Sequence, residues 1–366
     1  MKYFIILNLL VNISTFPTLE FQWYKSIYKT DSFQSKHTAS PLIEDSHIYI
    51  TDNTGRLYAL NLNTGKRVWK SEVGGEVLVQ PAINNNRIYL STTAGKLVCI
   101  DSGTGRVLWD YLIINTSLIS RPAFFKTSAI VATYSGEIYA FDESDGKLLW
   151  QYKRKNSNPL MIHAVADPVI HNSIVYAGFP DGYIIGINPS NGKEIWSLKL
   201  PLADKFEGIY AAAVAEKDVL FIPKYEGGLY AVSIPDKKII WQRNDDGYLW
   251  CNKYNEYLYA ATLSGKLIKI NPNSGSSPWF LDLKKFQSFP IPRLLSVSEP
   301  AEHKSLLFVS AENGIYAIDS DTGKTVWQFK PSGTFFPAGI SSAPQIHGDS
   351  VIFISDTGTL YKFKYN

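Results

Sequence analysis

Six histidines, two cysteines and 33 acidic residues are the side chains from which a metal centre, a nucleophile or an acid–base pair would have to be assembled. His37, His47, His163, His171, His303 and His347 stand in six separate places, without the close His or Cys pairs that zinc sites use. Cys99 and Cys251 lie far apart and form no Cys-x-x-Cys pair. A chain of this length needs no disulfide staple, so buried free thiols are the expected state. There is no Gly-x-Ser-x-Gly elbow and no glycine-rich phosphate cradle. Asp and Glu fall mainly in turn-like stretches, where a carboxylate caps backbone N–H groups. Calcium would find oxygen ligands there, but nothing in their spacing selects it. Lys and Arg stand mostly singly, and a net charge of +3 leaves no basic stripe for nucleic acid. The chemistry-bearing residue types therefore yield no catalytic, cofactor-binding or metal-binding candidates, and no nucleic-acid partner is expected.

The elements that would position any site declare themselves by repetition. Residues 55–69 read GRLYALNLNTGKRVW, residues 95–109 GKLVCIDSGTGRVLW and residues 136–150 GEIYAFDESDGKLLW. Aligning such copies on their tryptophan gives Trp69, Trp109, Trp150, Trp196, Trp241, Trp279 and Trp327, at steps of 40, 41, 46, 45, 38 and 48 residues. An eighth copy near the C-terminus has no tryptophan of its own. Each unit resolves into four strands; in the first these fall at residues 40–44, 47–52, 56–61 and 66–71. Leu57, Tyr58, Ala59 and Leu60 do not alternate with polar residues, so the third strand must be covered on both faces. Four-stranded sheets stacked at this period predict an all-β, eight-bladed β-propeller of antiparallel blades. Residues 21–26 carry Trp23, the tryptophan that the eighth copy lacks. Pairing of this N-terminal strand beside residues 358–364 would close the ring.

Trp23, Trp69, Trp109, Trp150, Trp196, Trp241, Trp279 and Trp327 are then inter-blade wedges, with Trp250 left over. Asn61 is placed to cap the turn before the outer strand, Gly65 to supply the positive φ of a bulged hairpin, and Ala59 to leave room for the indole. Residues 1–20, with Lys2 ahead of a short apolar run broken by Asn8, read as a signal peptide, and residues 21–366 as a single propeller. The run is too short to span a bilayer. No small-residue cleavage pair and no Cys for lipid attachment is found in it. The connections over residues 154–163 and 280–300 are the longest, and long loops on a rigid scaffold are where binding resides.

The spacing A-x-D-x-x-T-G-x-x-x-W resembles the repeat of quinoprotein (PQQ-type) β-propellers. It stands here as Ala59, Asn61, Thr64, Gly65 and Trp69, and as Ala317, Asp319, Thr322, Gly323 and Trp327. Cys99 takes the Ala position of the second copy. The fifth copy departs most, with Ser233 and Lys237 where the acidic residue and the glycine belong. For the dehydrogenases of this group the resemblance implies PQQ, a Ca2+ ion and an adjacent Cys–Cys pair, which this chain lacks, so neither cofactor is expected. An exported propeller without that machinery is similar to the BamB-type subunits of outer-membrane β-barrel assembly. That resemblance implies a non-catalytic, monomeric scaffold in the periplasm or on the periplasmic face of the outer membrane. It would bind protein partners, above all the central subunit of the assembly complex, and meet the membrane only through them. The family's partner loop before the fourth blade, of Leu-x-Leu-Arg pattern, corresponds to Leu160, Met161, Ile162 and His163. Its paired aspartates before the fifth blade are replaced by Ala211, Ala212 and Ala213. A periplasmic PQQ-dependent dehydrogenase and a polysaccharide- or polymer-binding propeller are the alternatives.

Overall fold

The computed structural model describes residues 18–27, 39–154, 166–201, 208–283, 301–311, 314–331 and 339–365. These hold eight four-stranded antiparallel sheets, and no α-helix occurs among them. Blade 1 runs through Leu42–Glu44, His47–Thr51, Arg56–Asn61 and Arg67–Glu72. Blades 2 to 7 repeat that order over residues 82–112, 123–153, 169–199, 214–243, 248–282 and 301–329. Blade 8 consists of Gln345–His347, Ser350–Ile354 and Thr359–Tyr365, completed by Leu19–Ser26 from the other end of the chain. The first strands of adjacent blades approach one another, which sets them around the axis as the inner strands and leaves each fourth strand at the rim. The second and third strands are almost wholly buried, as in His47–Thr51 and Arg56–Asn61, because each sheet is covered by a neighbour on both faces.

Ring closure is as the repeats predict. Trp23 stands opposite Lys362 and Ser26 opposite Thr359, with a bulge between Phe21 and Trp23. The strand begins at Leu19, so Leu19 and Glu20, the last residues of the segment read as a signal peptide, lie in the sheet. The inner strand expected over residues 40–44 is confined to Leu42–Glu44. Pro41 has no N–H to give a ladder, and its carbonyl accepts from Gln80 Nε2 at 2.7 Å. Ser40 Oγ is taken by the Ala343 N–H of blade 8 at 2.8 Å.

The blades are locked by one repeated contact. Asn61 Oδ1 accepts from the N–H groups of Asn63 and Thr64 at 3.1 and 3.0 Å, and Gly65 follows at φ 63°. The hairpin enters the outer strand through a bulge at Ala59/Leu60, which turns Trp69 toward blade 2. There its indole Nε1 donates to the Ser102 carbonyl at 3.0 Å. Its ring lies so close to Gly105 (φ 74°) that a methyl group on that glycine would sit 2.5 Å away. The same indole-to-carbonyl bond joins Trp109 to Glu143, Trp150 to Pro189, Trp196 to Ile234, Trp241 to Pro272 and Trp279 to Ser320. In the divergent fifth copy the turn survives without its glycine. Lys237 takes φ 54° and its N–H still reaches the Ser233 carbonyl at 3.0 Å, while Ser233 Oγ bonds Asp236 at 2.7 Å.

Two blades break the rule that a small residue faces the tryptophan. Lys269 stands opposite Trp279 and Lys362 opposite Trp23, where other blades have Ala59, Cys99, Ala140 or Gly186. Lys269 Nζ shares the Ser320 carbonyl with its indole at 2.8 Å. Lys362 Nζ instead takes the Leu62 carbonyl, at 3.2 Å, and Trp23 Nε1 is buried without a partner. Burial, then the neighbouring Lys364, holds the Lys362 ammonium below its ordinary pKa.

Three outcomes follow in urea unfolding. Trp69→Ala should cost about 3–5 kcal/mol, and Gly105→Ala about 2 kcal/mol through the positive φ and the indole behind it. Lys362→Ala should raise the unfolding free energy by about 1 kcal/mol, because the freed Leu62 carbonyl becomes available to the Trp23 indole. A loss of stability in that variant would show that the lysine is the better closure.

Candidate functional site

Each blade presents turns on two opposite faces. On one, the turn leaving the inner strand bonds the turn entering the outer strand, as in Leu62 N to Ser46 O at 2.8 Å and Glu143 N to Thr127 O at 2.9 Å. On the other, the connection leaving the outer strand bonds the turn between the second and third strands, as in Val73 N to Gly55 O at 2.8 Å. Chain leaving an outer strand for the next blade therefore departs from this second, loop face.

Leu160, Met161, Ile162 and His163 lie outside the described residues, as do residues 284–300. Their platform is described. Arg154, the last residue before residues 155–165, donates through Nε to Asp181 Oδ2 at 2.5 Å and covers the Tyr183 ring at 3.7 Å. Burial opposes the Arg154 charge, but the Asp181 bond and its field carry the guanidinium above its ordinary pKa. On the far side, Asp167 accepts from the Arg121 N–H at 2.8 Å and from Arg121 Nε at 2.7 Å. Both feet of this connection are thus tied by half-buried arginine–carboxylate pairs, Asp181 on the second–third turn of blade 4 and Arg121 on the approach to blade 3. Composition gave no hint of either pair, because solvated turn residues have the same types. Nearby, Tyr210 and Tyr225 meet edge to face at 5.7 Å. Of the three alanines in the place of the family's aspartates, Ala213 is buried and packs with Ile209 and Tyr176.

The opposite face gathers four of the six histidines. His171, His303 and His347 each end an inner strand and His47 begins the second strand of blade 1, so scattered sequence positions become equivalent places around the ring. They do not converge: His171 Nε2 meets the Lys217 carbonyl at 2.6 Å and His303 Nε2 meets Asp349 at 3.3 Å. Among the described residues no group of three or more His, Cys, Asp or Glu is arranged to hold a metal ion. Glu143 is the most committed carboxylate here. It is buried between blades 2 and 3, accepting from Asn84 Nδ2 at 2.7 Å and Tyr89 OH at 2.9 Å. Cys99 and Cys251 are free and buried. Burial pushes the Cys99 thiol up to about 11 and Cys251 higher still, which removes the thiolate a nucleophile needs.

The family model described as outer membrane protein assembly factor BamB matches residues 20–124, 81–280 and 263–365. The BamB of Legionella pneumophila (strain Paris) is 21% identical over 208 residues, 55% of this chain and 51% of the relative. That of Yersinia pestis is 20% identical over 352 residues, 92% of this chain and 74% of the relative. For the Pseudomonas aeruginosa protein the match covers 38% of the relative, so the chain spans about half or less of several curated relatives it matches. Among solved structures, BamB from Moraxella catarrhalis has a TM-score of 0.77 at 14% identity, over 95% of this chain and all of that one. Quinohemoprotein alcohol dehydrogenase from Comamonas testosteroni has 0.75 at 14%, over 94% of this chain and 76% of the other. At such identity these structures establish the shared propeller and nothing about its chemistry.

The anchored platform makes a measurable claim. Arg154→Ala leaves Asp181 buried and unpaired and should cost about 3 kcal/mol in unfolding free energy. The double variant Arg154→Met/Asp181→Leu should lose clearly less than Arg154→Ala alone, since no unpaired charge remains.

Proposed function

Because the chain belongs to the family of outer membrane protein assembly factor BamB, we propose that it is a non-catalytic scaffold acting in the assembly of outer-membrane β-barrel proteins. It works in the periplasm or on the periplasmic face of the outer membrane. It holds protein partners, foremost the central subunit of the assembly complex, through the loop face around residues 155–165, where Leu160, Met161, Ile162 and His163 supply the contact. The observation that carries the reading is the match of that family model from residue 20 to residue 365. The polar side chains of the described residues are consistent with it. Glu143, Asp181, Asp167 and Asn61 each serve the packing of blades or the tethering of a connection. No helix of the described residues is long and apolar enough to cross a membrane.

The structural likeness to a quinohemoprotein dehydrogenase keeps one second reading in view, oxidation of an alcohol with PQQ and Ca2+. The residues fit it poorly. The two cysteines stand in blades 2 and 6, buried on different strands, and cannot form an adjacent disulfide over a quinone. The described carboxylates form no ligand set for calcium. The scaffold reading needs neither cofactor.

Envelopes solubilised in mild detergent should yield the central barrel-assembly subunit together with a tagged form of this protein. Replacing Leu160 and Ile162 by Asp should reduce that recovery at least tenfold while the melting temperature is retained. Purified protein given PQQ, Ca2+, a panel of alcohols and an artificial electron acceptor should show no turnover. Turnover, or consistent failure to recover the subunit, would overturn the assignment.

A further inference from the structure

The ring closes through the weakest of its inter-blade locks. Six tryptophans, from Trp69 to Trp279, give their indole N–H to a carbonyl of the next blade. Among the described residues, blade 8 has that bond on neither side. Trp327 lies edge to face with Phe363 at 5.3 Å, and Trp23 Nε1 is buried without a partner. The Trp23 ring is also less tightly seated. A methyl group on Gly65 would stand 3.2 Å from it, against 2.5 to 2.8 Å for Gly105, Gly146, Gly192, Gly275 and Gly323 before their tryptophans. Lys362 stands opposite Trp23, and its Nζ takes the Leu62 carbonyl at 3.2 Å, the acceptor equivalent to that of Ser102.

The strand that carries Trp23 is also attached differently. Every other outer strand follows its third strand directly in the chain, as Arg67–Glu72 follows Arg56–Asn61, so a frayed outer strand stays beside the edge it left. Leu19–Ser26 is held in its sheet by non-covalent contacts alone, because its neighbour Thr359–Tyr365 comes from the far end of the sequence. The ladder is not short: it runs from Leu19 with Tyr365 to Ser26 with Thr359, and the Ile27 N–H reaches the Gly358 carbonyl at 2.9 Å. At an edge, however, water replaces each such bond, and the net gain per bond is small. Side chains add little. Leu19 and Trp23 are half-buried and the other six residues are exposed. Phe21 and Tyr24 meet Phe363 and Tyr361 at 5.6 and 6.3 Å between ring centres while remaining largely open to water.

We propose that Leu19–Ser26 is a releasable latch, which leaves the edge of Thr359–Tyr365 and returns to it as one unit while the rest of the ring stays folded. Release breaks one ladder and withdraws Trp23 from Gly65, but it leaves all six indole bonds in place. It therefore requires far less free energy than parting any two of blades 1 to 7. It bares the outer edge of blade 8 with Tyr361 and Phe363, and Phe363 keeps its contacts with Trp327 and Phe329. The strand remains tethered to blade 1 by the chain, so reclosure is intramolecular. Lys362 sets the balance: while its ammonium holds the Leu62 carbonyl, the Trp23 indole finds no acceptor on closing. The latch is a property of the ring and does not rest on the assignment to outer-membrane assembly.

Native-state hydrogen exchange of the intact protein, repeated at rising sub-denaturing urea, tests the latch. The ladder amides of Leu19–Ser26 and those facing them on Thr359–Tyr365 should exchange through one shared opening. That exchange should be about a hundredfold faster than at the ladder amides of Arg67–Glu72, Val107–Leu112 or Leu148–Lys153. Lys362→Ala, which frees the Leu62 carbonyl for Trp23, should slow it about fivefold and leave the other outer strands unchanged. Ser26 and Thr359 are paired in register. In Ser26→Cys/Thr359→Cys, oxidation should raise the protection of the strand to that of the other outer strands, and reduction should undo the change. Cys99 and Cys251 are buried and do not compete. Should the cysteine pair not fold, Lys362→Ala decides alone. The inference falls if the closing strand exchanges no faster than the other outer strands, or if Thr359–Tyr365 stays protected while Leu19–Ser26 exchanges. It also falls if neither variant slows the exchange, or if both segments share the urea dependence of global unfolding, since the whole ring would then be opening.

Discussion

Everything in this molecule depends on the indole of an outer strand reaching the turn of the next blade. A four-stranded sheet with apolar residues on both faces has no stable existence alone, since water would meet both surfaces. Stacking hides them, but stacked sheets could slide. The Trp69–Ser102 bond, with the ring pressed on Gly105, and its counterparts from Trp109 to Trp279 fix blades 1 to 7 against one another at the rim, where the lever arm from the axis is longest. The bond is specific because its acceptor is a backbone carbonyl, whose position is set by the Asn61- or Asp101-capped turn and not by a rotamer. Closure then makes the locks mutually dependent. Blades 2 to 6 cannot shift without disturbing an indole bond on either side, and the pairing of Leu19–Ser26 with Thr359–Tyr365 leaves no free end to the stack.

That rim is nearly uniform, and the variation is concentrated inside. The outer strands keep their bulge and tryptophan even where the turn loses its glycine, as at Lys237. Inner strands, by contrast, carry Ile, Phe, Ala, Lys or Glu at one structural position. The difference has a physical reason. A change at the rim removes an indole or places a methyl against one, at a cost of several kcal/mol, whereas inner strands of three residues face the axial space and tolerate a polar side chain if a neighbour completes it. Lys253 with Glu216 and Glu302 with Asn255 are two such completions in adjoining blades.

The fold was legible in the sequence to the level of the closing strand. Trp23, standing ahead of the first unit without a partner, predicted the pairing with residues 358–364 that the structure has, and Asn61, Gly65 and Ala59 were assigned their places from turn chemistry alone. The acceptors of the indole bonds were not legible, because a main-chain carbonyl leaves no trace in residue type. Nor was the short inner strand of blade 1: the signal was Pro41, but its meaning depends on Gln80 and Ala343 arriving from other blades. The inner-strand row needs a register before Ile43 and Lys253 can be recognised as equivalent. Four of the histidines looked scattered for the same reason, since a ring brings residues separated by whole multiples of the repeat to one face, here in blades 1, 4, 7 and 8.

The likeness to both an assembly factor and a dehydrogenase follows from this division of labour. A backbone shared at 14% identity with each is one whose determinants are few: a capped turn, a glycine or its substitute, and a tryptophan per blade. Such a set occupies the rim and the turns, so it constrains neither the loop face nor the axis. Function can therefore change without passing through an unstable ring, provided that charges introduced near the axis arrive with partners. Arg154 with Asp181 and Arg121 with Asp167 show the same rule on the loop face, where the residues on either side of 155–165 are held by paired charges. In this architecture the positions that break the repeat are the ones free to acquire a role, and they lie on two surfaces that the tryptophan lock does not touch.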